Sequence, residues 1–393
     1  MKIVQRGRFA IGLALGVSLV LYCYYNVVFD NCAETCVSYD QLVDARPEKN
    51  NTKYILTYTN FFTSNNWFLN EETVGEDFFR YHQCPETDCV VTSRQDLLPS
   101  IAYFDALVFH GAEEWRRPVP TIRSPSQLYV AAIKESPAHT KRDLAQDVDF
   151  YNWTMTYRAD SDVLWTYGQL SEIGGERRVV APSERTSWPQ DGFQNYTNQA
   201  LLGLVRNKTK MAAQFVSHCG AVSGRDRLVK AIQKAVKVDV YGKCGTMECP
   251  PGSPRCTRML TDDYRFYFAF ENSLCRDYVT EKLYNAMESY IIPVVFGGAD
   301  YSKFVPPHSV IDVQEFGTVK ELVNYLRFLA DNPEEYLKYF WWKEHYRVTR
   351  SKTFCELCRM LHGIGAREKS QYYKDVKSWW FEGACQVKAK IAF

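Results

Sequence analysis

From Phe9 to Phe29 the chain carries no charged residue, and at about 1.5 Å per residue a helix of that length crosses the roughly 30 Å hydrocarbon core of a bilayer. Lys2, Arg6 and Arg8 precede the run, and Asp30 and Glu34 follow it. The tendency of cationic flanks to stay in the cytosol predicts a cytoplasmic tail over 1–8, a transmembrane signal anchor over 9–29 and a lumenal remainder. The run is longer than the roughly 7–15 residues of a signal-peptide core, and no small-x-small cleavage site follows it, which favours an uncleaved anchor. Polar positions without helical or strand period then fill 30–52 and read as a stem.

Beyond the stem the apolar positions fall into short β-rich runs, Tyr54 to Tyr58, Ala106 to Phe109 and Gln127 to Ile133, separated by turn-rich segments. A polar stretch from Pro182 to about Lys210 reads as a domain boundary. After it strands and helices alternate: strand Phe215 to Ser217, helix Arg225 to Val236, strand Val238 to Tyr241, strand Phe266 to Phe270, helix Thr280 to Tyr290 and strand Pro293 to Phe296. Such alternation predicts a parallel sheet covered by helices. Leu228, Val229, Ile232 and Val236 share one helical face. Thr318 and Glu321 form a capping box ahead of the apolar stripe Leu322, Val323, Leu326 and Leu329. The pattern divides the body into 53–195, 210–345 and a terminal segment 346–393.

Composition changes this picture in two ways. Lys and Arg total 47 against 46 Asp and Glu, so no bulk charge draws the chain to nucleic acid, and an anionic ligand needs a local site. Of thirteen cysteines, Cys23 lies in the predicted span and leaves an even twelve, which an oxidising lumen can pair. Cys355-x-x-Cys358 fits such pairing better than a redox couple or a zinc site completed by Cys244 and Cys249. Sequons at Asn50, Asn152, Asn195 and Asn207 agree with lumenal exposure.

Ligands of parallel sheets bind beyond the carboxyl ends of strands, where helix N-termini present free N–H groups to phosphates. Two segments fit: Val216 to Arg225, with Gly220 and Gly224 before Arg225, and Phe266 to Ser273, followed by Asp277 to Lys282. Arg225 and Lys282 can clamp a diphosphate, Glu281 can accept from sugar hydroxyls, and Asn272 and Tyr278 can orient a base, ribose or phosphate. Ordinary helix starts use the same residues, and spacing alone does not separate the two readings. Glu135 ends a predicted strand ahead of Pro137, where a carboxylate can take a proton from an attacking hydroxyl or simply cap a turn or pair with Arg158. Asp160-Ser161-Asp162 and Asp262-Asp263 are candidate oxygen ligands for a divalent metal, although paired aspartates more often form turns. Tyr339 to Trp342 reads as packing. No GxGxxG, P-loop, HExxH or GxSxG pattern occurs.

At these residues the sequence resembles the α1,3-fucosyltransferases. FYFAFENSLCRDYVTEKLYNA (266–286) followed by PVVFG (293–297) is similar to that family's most diagnostic segment; KESPAHT (134–140), NWTMTYRADSD (152–162) and CELC (355–358) are similar to further blocks in the same order. The resemblance implies a GT-B architecture: two Rossmann-like α/β domains with a cleft between them, behind one transmembrane helix. It implies GDP-fucose as donor, held by Arg225, Asn272, Tyr278, Glu281 and Lys282, and Glu135 as general base. Transfer to an N-acetylglucosamine hydroxyl of a protein-linked glycan would invert the anomeric centre in the Golgi lumen, with no cofactor required and Mn2+ at most a non-essential stimulant. His218 stands where the family more often has Asn, and Ala159 where it often has Arg. The insert YGKCGTMECP (241–250) is more like invertebrate and core-modifying members, which tilts the acceptor toward the Asn-linked core. A glycan-binding protein without turnover, or a transferase of another nucleotide sugar, are the rival readings.

Overall fold

The computed structural model of the chain describes residues 51–64, 67, 77–115, 118–174, 188–250, 253–363, 372–386 and 389–393, with the backbone of 178–179. The tail, anchor and stem expected over 1–50, and the sequon at Asn50, lie outside the described residues. Among the described residues no helix is long and apolar enough to cross a membrane.

Two parallel sheets carry the fold. The first has β1 (Lys53–Thr57), β2 (Cys89–Thr92), β3 (Ala106–His110), β4 (Leu128–Ile133), β5 (Trp153–Thr156) and β6 (Val163–Leu164), in the order β2-β1-β3-β4-β5-β6. A small antiparallel sheet follows, built from β7 (Gln169–Glu172) and β8 (Arg178–Val179) with a strand from near the C-terminus. The second large sheet has β9 (Lys210–Phe215), β10 (Val238–Tyr241), β11 (Tyr264–Phe270), β12 (Ile292–Phe296) and β13 (Ile311–Asp312), in the order β10-β9-β11-β12-β13. Both are parallel throughout. The α/β class follows directly, and in each sheet the order reverses beside the first strand, at β1/β3 and at β9/β11. Such reversals open a crevice beyond the strand ends.

Both faces of each sheet are covered, which explains why the central strands read as unbroken apolar runs. In β11, Phe266, Phe268 and Phe270 enter one core with Leu228, Val229 and Ile232 of α1 (Arg225–Gln233). Tyr267 and Ala269 enter the opposite core with Leu283, Tyr284 and Met287 of α2 (Glu281–Glu288). The first core also holds the apolar stripe of α3 (Val319–Asp331), whose Thr318–Glu321 capping box is present. Tyr339 to Trp342 are buried, as their packing role requires.

The first expected strand of the second half is displaced. Residues 210–215 form β9, and Val216 to His218 are the loop beyond it, because Lys210 to Phe215 pair with both β10 and β11.

The terminal segment folds back onto the rest of the chain. β14 (Tyr346–Thr349) pairs antiparallel with β7. The helix α4 (Thr353–His362) lays Phe354, Leu357 and Leu361 against one face of the first sheet, and α5 (Val376–Phe381) lays Val376 and Trp380 against the other. Without these two helices the first sheet would expose apolar side chains on both faces, each costing about 1.5–3 kcal/mol. Disulfides Cys84–Cys355 and Cys89–Cys358 fix α4 across 271 and 269 residues, and Cys275–Cys385 ties the tail to the loop before α2. The Cys355-x-x-Cys358 pair is therefore structural, and Cys244 and Cys249 pair elsewhere, with Cys219 and Cys256.

The sequons separate by burial. Asn195 and Asn207 are exposed. Asn152 is 6% exposed, and its carboxamide oxygen accepts from Tyr129 N at 2.8 Å and from the Arg123 guanidinium. Asn152 is thus held as a structural residue through its oxygen, whereas a glycan would attach to its nitrogen.

Candidate active site

At the β9/β11 reversal a cleft of about 560 Å³ opens, within the usual range for small-ligand sites. His218, Arg225, Asn272, Glu281 and Lys282 line it, together with Gly242 and the loop closed by Cys249–Cys256. Two glycines fit their positions for steric reasons. Gly224 caps α1 with φ of 77°, and a Cβ on Gly242 would come within 2.7 Å of the Val216 carbonyl.

Arg225 is 2% exposed and spans the cleft floor. Its Nη1 donates to Phe270 O at 2.9 Å and its Nη2 to His218 O at 2.8 Å. Its Nε has no hydrogen-bond partner, and the nearest carboxylate, Asp226, stands 3.9 Å away. Burial lowers its pKa, but a guanidinium stays charged at neutral pH. The positive charge is thus held rigidly at the end of β11.

Lys282 sits in the first turn of α2, where Nζ donates to Thr280 Oγ1 at 2.8 Å and pairs with Glu281 at 3.0 Å and Glu271 at 3.3 Å. Burial works against its charge; the Glu271 and Glu281 carboxylates more than offset it and hold the ammonium above its ordinary pKa. Glu271 is 1% exposed and also takes the N–H and hydroxyl of Thr280, both at 2.9 Å. It therefore fixes the α2 N-cap and the lysine together. The sequence reading passed over Glu271, although a carboxylate directly after a fully apolar strand is a visible signal for a buried polar anchor.

Glu135 lies beyond β4 and does not itself line the cleft, but the charges of the lining residues Lys282, Glu281 and His218 act on its carboxylate. Among the described residues no hydrogen bond or ion pair reaches its carboxylate, so neither the capping role nor the Arg158 pairing is present. Arg158 instead holds Asp160 in two contacts of 2.9 and 2.6 Å. Burial raises the pKa of Glu135, Lys282 opposes this, and Glu281 and Glu113 add to it. The charges of both halves thus act on one group. The next residue, Ser136, is fully buried and receives a 2.7 Å hydrogen bond from Ser273 Oγ, which sets Glu135 against the β11–α2 loop. Ala159 N donating to Asp277 at 3.1 Å, and Arg276 pairing with Asp160 at 2.8 Å, join the same two segments. Asp277 adopts φ of 59°, a left-handed turn that aspartate tolerates. Ser136, Ser273 and Asp277 lie inside the segments singled out in the sequence, but their pairing is not visible there, because the partners lie more than a hundred residues away.

One expected assignment and one disfavoured alternative meet a different geometry. Tyr278 is 2% exposed and packs between Tyr157 and Tyr167, at ring separations of 5.0 and 6.1 Å, and is not part of the cleft lining. Its place is the wall joining the halves. The metal reading of Asp160 and Asp162 fails on their partners: Asp160 is taken by Arg158 and Arg276, and Asp162 accepts from Thr154 N at 2.9 Å and Tyr373 Oη at 2.8 Å. Asp263 likewise pairs with Lys210 at 2.9 Å.

Comparison with known proteins gives this geometry a context. Residues 50–168 match the family description "Fucosyltransferase, N-terminal", and residues 205–379 match "Glycosyltransferase family 10 (fucosyltransferase) C-term". Alpha-(1,3)-fucosyltransferase C of Drosophila melanogaster is 46% identical over 86% of this chain and 80% of its own length. Glycoprotein 3-alpha-L-fucosyltransferase A of the same organism is 35% identical over 80% of this chain and 59% of its own length. The 4-galactosyl-N-acetylglucosaminide 3-alpha-L-fucosyltransferase FUT6 of Homo sapiens is 34% identical over 75% of each. Among solved structures, an alpha1,3-fucosyltransferase with GDP-fucose aligns with a TM-score of 0.44 at 15% identity, over 75% of this chain and 83% of that one.

Proposed function

This chain belongs to glycosyltransferase family 10, the fucosyltransferases, and from that premise we propose that it moves fucose from GDP-fucose to the 3-hydroxyl of an N-acetylglucosamine in a protein-linked glycan, with inversion. The observation that carries this reading is that Glu135, a carboxylate with no hydrogen-bond or ion-pair partner among the described residues, lies within the field of Lys282, which lines the cleft together with Arg225. That pairing is what glycosyl transfer needs: a base for the attacking hydroxyl and a fixed positive field for the departing diphosphate.

In the reaction the acceptor oxygen forms a bond to fucose C1 as the bond from C1 to the β-phosphate oxygen breaks. The acceptor proton passes to Glu135, and the electron pair leaves with GDP beside Lys282 and Arg225. Raised carboxylate basicity makes Glu135 a better proton acceptor near neutral pH than an ordinary glutamate. The half-exposed Glu281 can accept from donor sugar or ribose hydroxyls through Oε2, since Lys282 engages Oε1. The two parallel sheets support a GT-B reading.

The 46% identity to an alpha-(1,3)-fucosyltransferase supports the 1,3 linkage, and the name of the glycoprotein transferase from Drosophila supports a protein-linked acceptor. Five disulfides in the body support an oxidising compartment. With the apolar run at 9–29 this fits a single-pass type II protein with a lumenal catalytic body in the Golgi. The test is GDP release from GDP-fucose by the purified chain, with and without a panel of core and antenna N-glycan acceptors. Acceptor-dependent GDP release with fucosylated product is the expected result; binding without turnover, or turnover only with another nucleotide sugar, would overturn the reading.

A further inference from the structure

Beyond β12 and β13, at the same carboxyl edge of the second sheet, a second cleft of about 740 Å³ opens that shares no lining residue with the donor cleft. We propose that it binds a neutral sugar residue of the acceptor glycan, remote from the hydroxyl that reacts. The inference rests on the acceptor being a glycan, as proposed above.

The lining has the chemistry of a carbohydrate site. Asp312 is held by one oxygen, which takes Gln314 N–H at 2.9 Å; no hydrogen bond within the described residues reaches the other. Burial raises its pKa to about 6, with Lys390 opposing the shift. Lys303 pairs with Asp300 at 3.4 Å on the rim. Asp300, Asp312 and Glu315 line the cleft with Lys390, so the carboxylates are partly offset by that lysine and by Lys303 beside it, and they can accept from the hydroxyls of a neutral ligand.

Aromatic residues line the same cleft. The Tyr325 and Tyr339 hydroxyls bond at 2.7 Å, and the Tyr339 ring packs on His308 at 3.9 Å. His308 is held between Phe193 and Tyr339, and Tyr325 packs beside Phe316 and Phe328, so what these residues offer the cleft is a rigid wall of ring edges with polar groups among them, which suits the mixed C–H and hydroxyl surface of a pyranose. Tyr301 also lines the cleft, and its buried hydroxyl has no hydrogen-bond partner among the described residues, which leaves it able to bond a ligand or water.

Position ties the cleft to the reaction. Gly298 on its rim lies so close to the Leu274–Cys275 backbone that a Cβ there would come within 2.4 Å of Leu274 C. That segment continues from Ser273, whose hydroxyl bonds Ser136 beside Glu135. A branched glycan with one residue at Glu135 thus has a neighbouring cleft for another.

The experiment uses the full-length chain in detergent, with two acceptors: a free biantennary N-glycan and the disaccharide N-acetyllactosamine. Asp312→Asn, which keeps the bond to Gln314 N, and Tyr325→Leu should each raise KM for the N-glycan about tenfold, with KM for the disaccharide and for GDP-fucose within about twofold of wild type. Melting temperatures confirm that each variant is folded. Unchanged KM for the N-glycan, or an equal rise for both acceptors, would overturn the proposal. If the wild-type chain fucosylates neither acceptor, the reading of its function fails instead, and calorimetric titration of the N-glycan alone decides the cleft: binding lost in both variants supports it, and binding kept in either overturns it.

Discussion

On the donor side the charged groups are already held in place: Arg225 by two backbone carbonyls, Lys282 by Thr280, Glu281 and the buried Glu271. Glu135 is treated in the opposite way. Its backbone is fixed through Ser136 and Ser273, while its carboxylate receives no hydrogen bond among the described residues and is pushed toward its neutral form by burial. The difference follows from the two tasks. A diphosphate is best stabilised by charges that need not reorganise as the bond breaks, whereas a base must gain a proton, and hydrogen bonds to its anion would lower its basicity.

If that contrast is right, removing the base should cost most. Glu135→Gln keeps the shape and loses the proton acceptor, so kcat should fall by about 10²–10⁴ with little change in GDP-fucose affinity or melting temperature. A purely structural glutamate would give the reverse: a lower melting temperature and near-normal kcat in the folded fraction.

Lys282→Ala should lower kcat/KM for GDP-fucose by about 10²–10³, the usual cost of one preorganised donor at a developing charge. Arg225→Ala should act in the same direction and also loosen the Val216–Gly224 loop, since the guanidinium holds the His218 carbonyl. Titrating GDP into both folded variants separates lost affinity from lost transition-state stabilisation.

A smaller effect should come from Cys219–Cys244, which joins the loop beyond β9 to the loop beyond β10. Replacing both cysteines by serine frees loops that the donor must then order, and KM for GDP-fucose should rise about threefold to tenfold with kcat nearly unchanged. The smallest effect is expected from EDTA. The carboxylates that resembled metal ligands are engaged by Arg158, Arg276, Thr154 and Tyr373, so activity should remain substantial; complete loss restored by metal would break this part of the account.

The second half was legible in the sequence because its signals are local. An apolar strand, a turn and a capped helix lie within about twenty residues from Phe266 to Ala286, and Arg225, Asn272, Glu281 and Lys282 come together on the cleft they line. Tyr278 belonged to the same motif, yet its ring turns into the wall between the halves, since a side chain's direction in an irregular loop depends on what packs around it. The first half was less legible because its core is completed from the far end of the chain. Nothing between Tyr54 and Leu164 shows that Phe354, Leu357 and Trp380 cover its sheet, or that Ser273 anchors Ser136. The two cysteine pairs at Cys84 and Cys89 were visible as residues, but their partners, some 270 positions away, were not.

The central claim is that Glu135 is the proton acceptor, with basicity set by burial and by the charges that line the cleft. The most direct measurement is kcat as a function of pH at saturating GDP-fucose and acceptor, for the wild-type chain and for Glu135→Gln side by side. Because only the ionised form can take the proton and burial raises the pKa, wild-type activity should fall with decreasing pH through a value above the ordinary glutamate range. The variant should be slow throughout and lack that acidic limb. An identical acidic limb in Glu135→Gln, or a variant nearly as fast as wild type, would contradict the account.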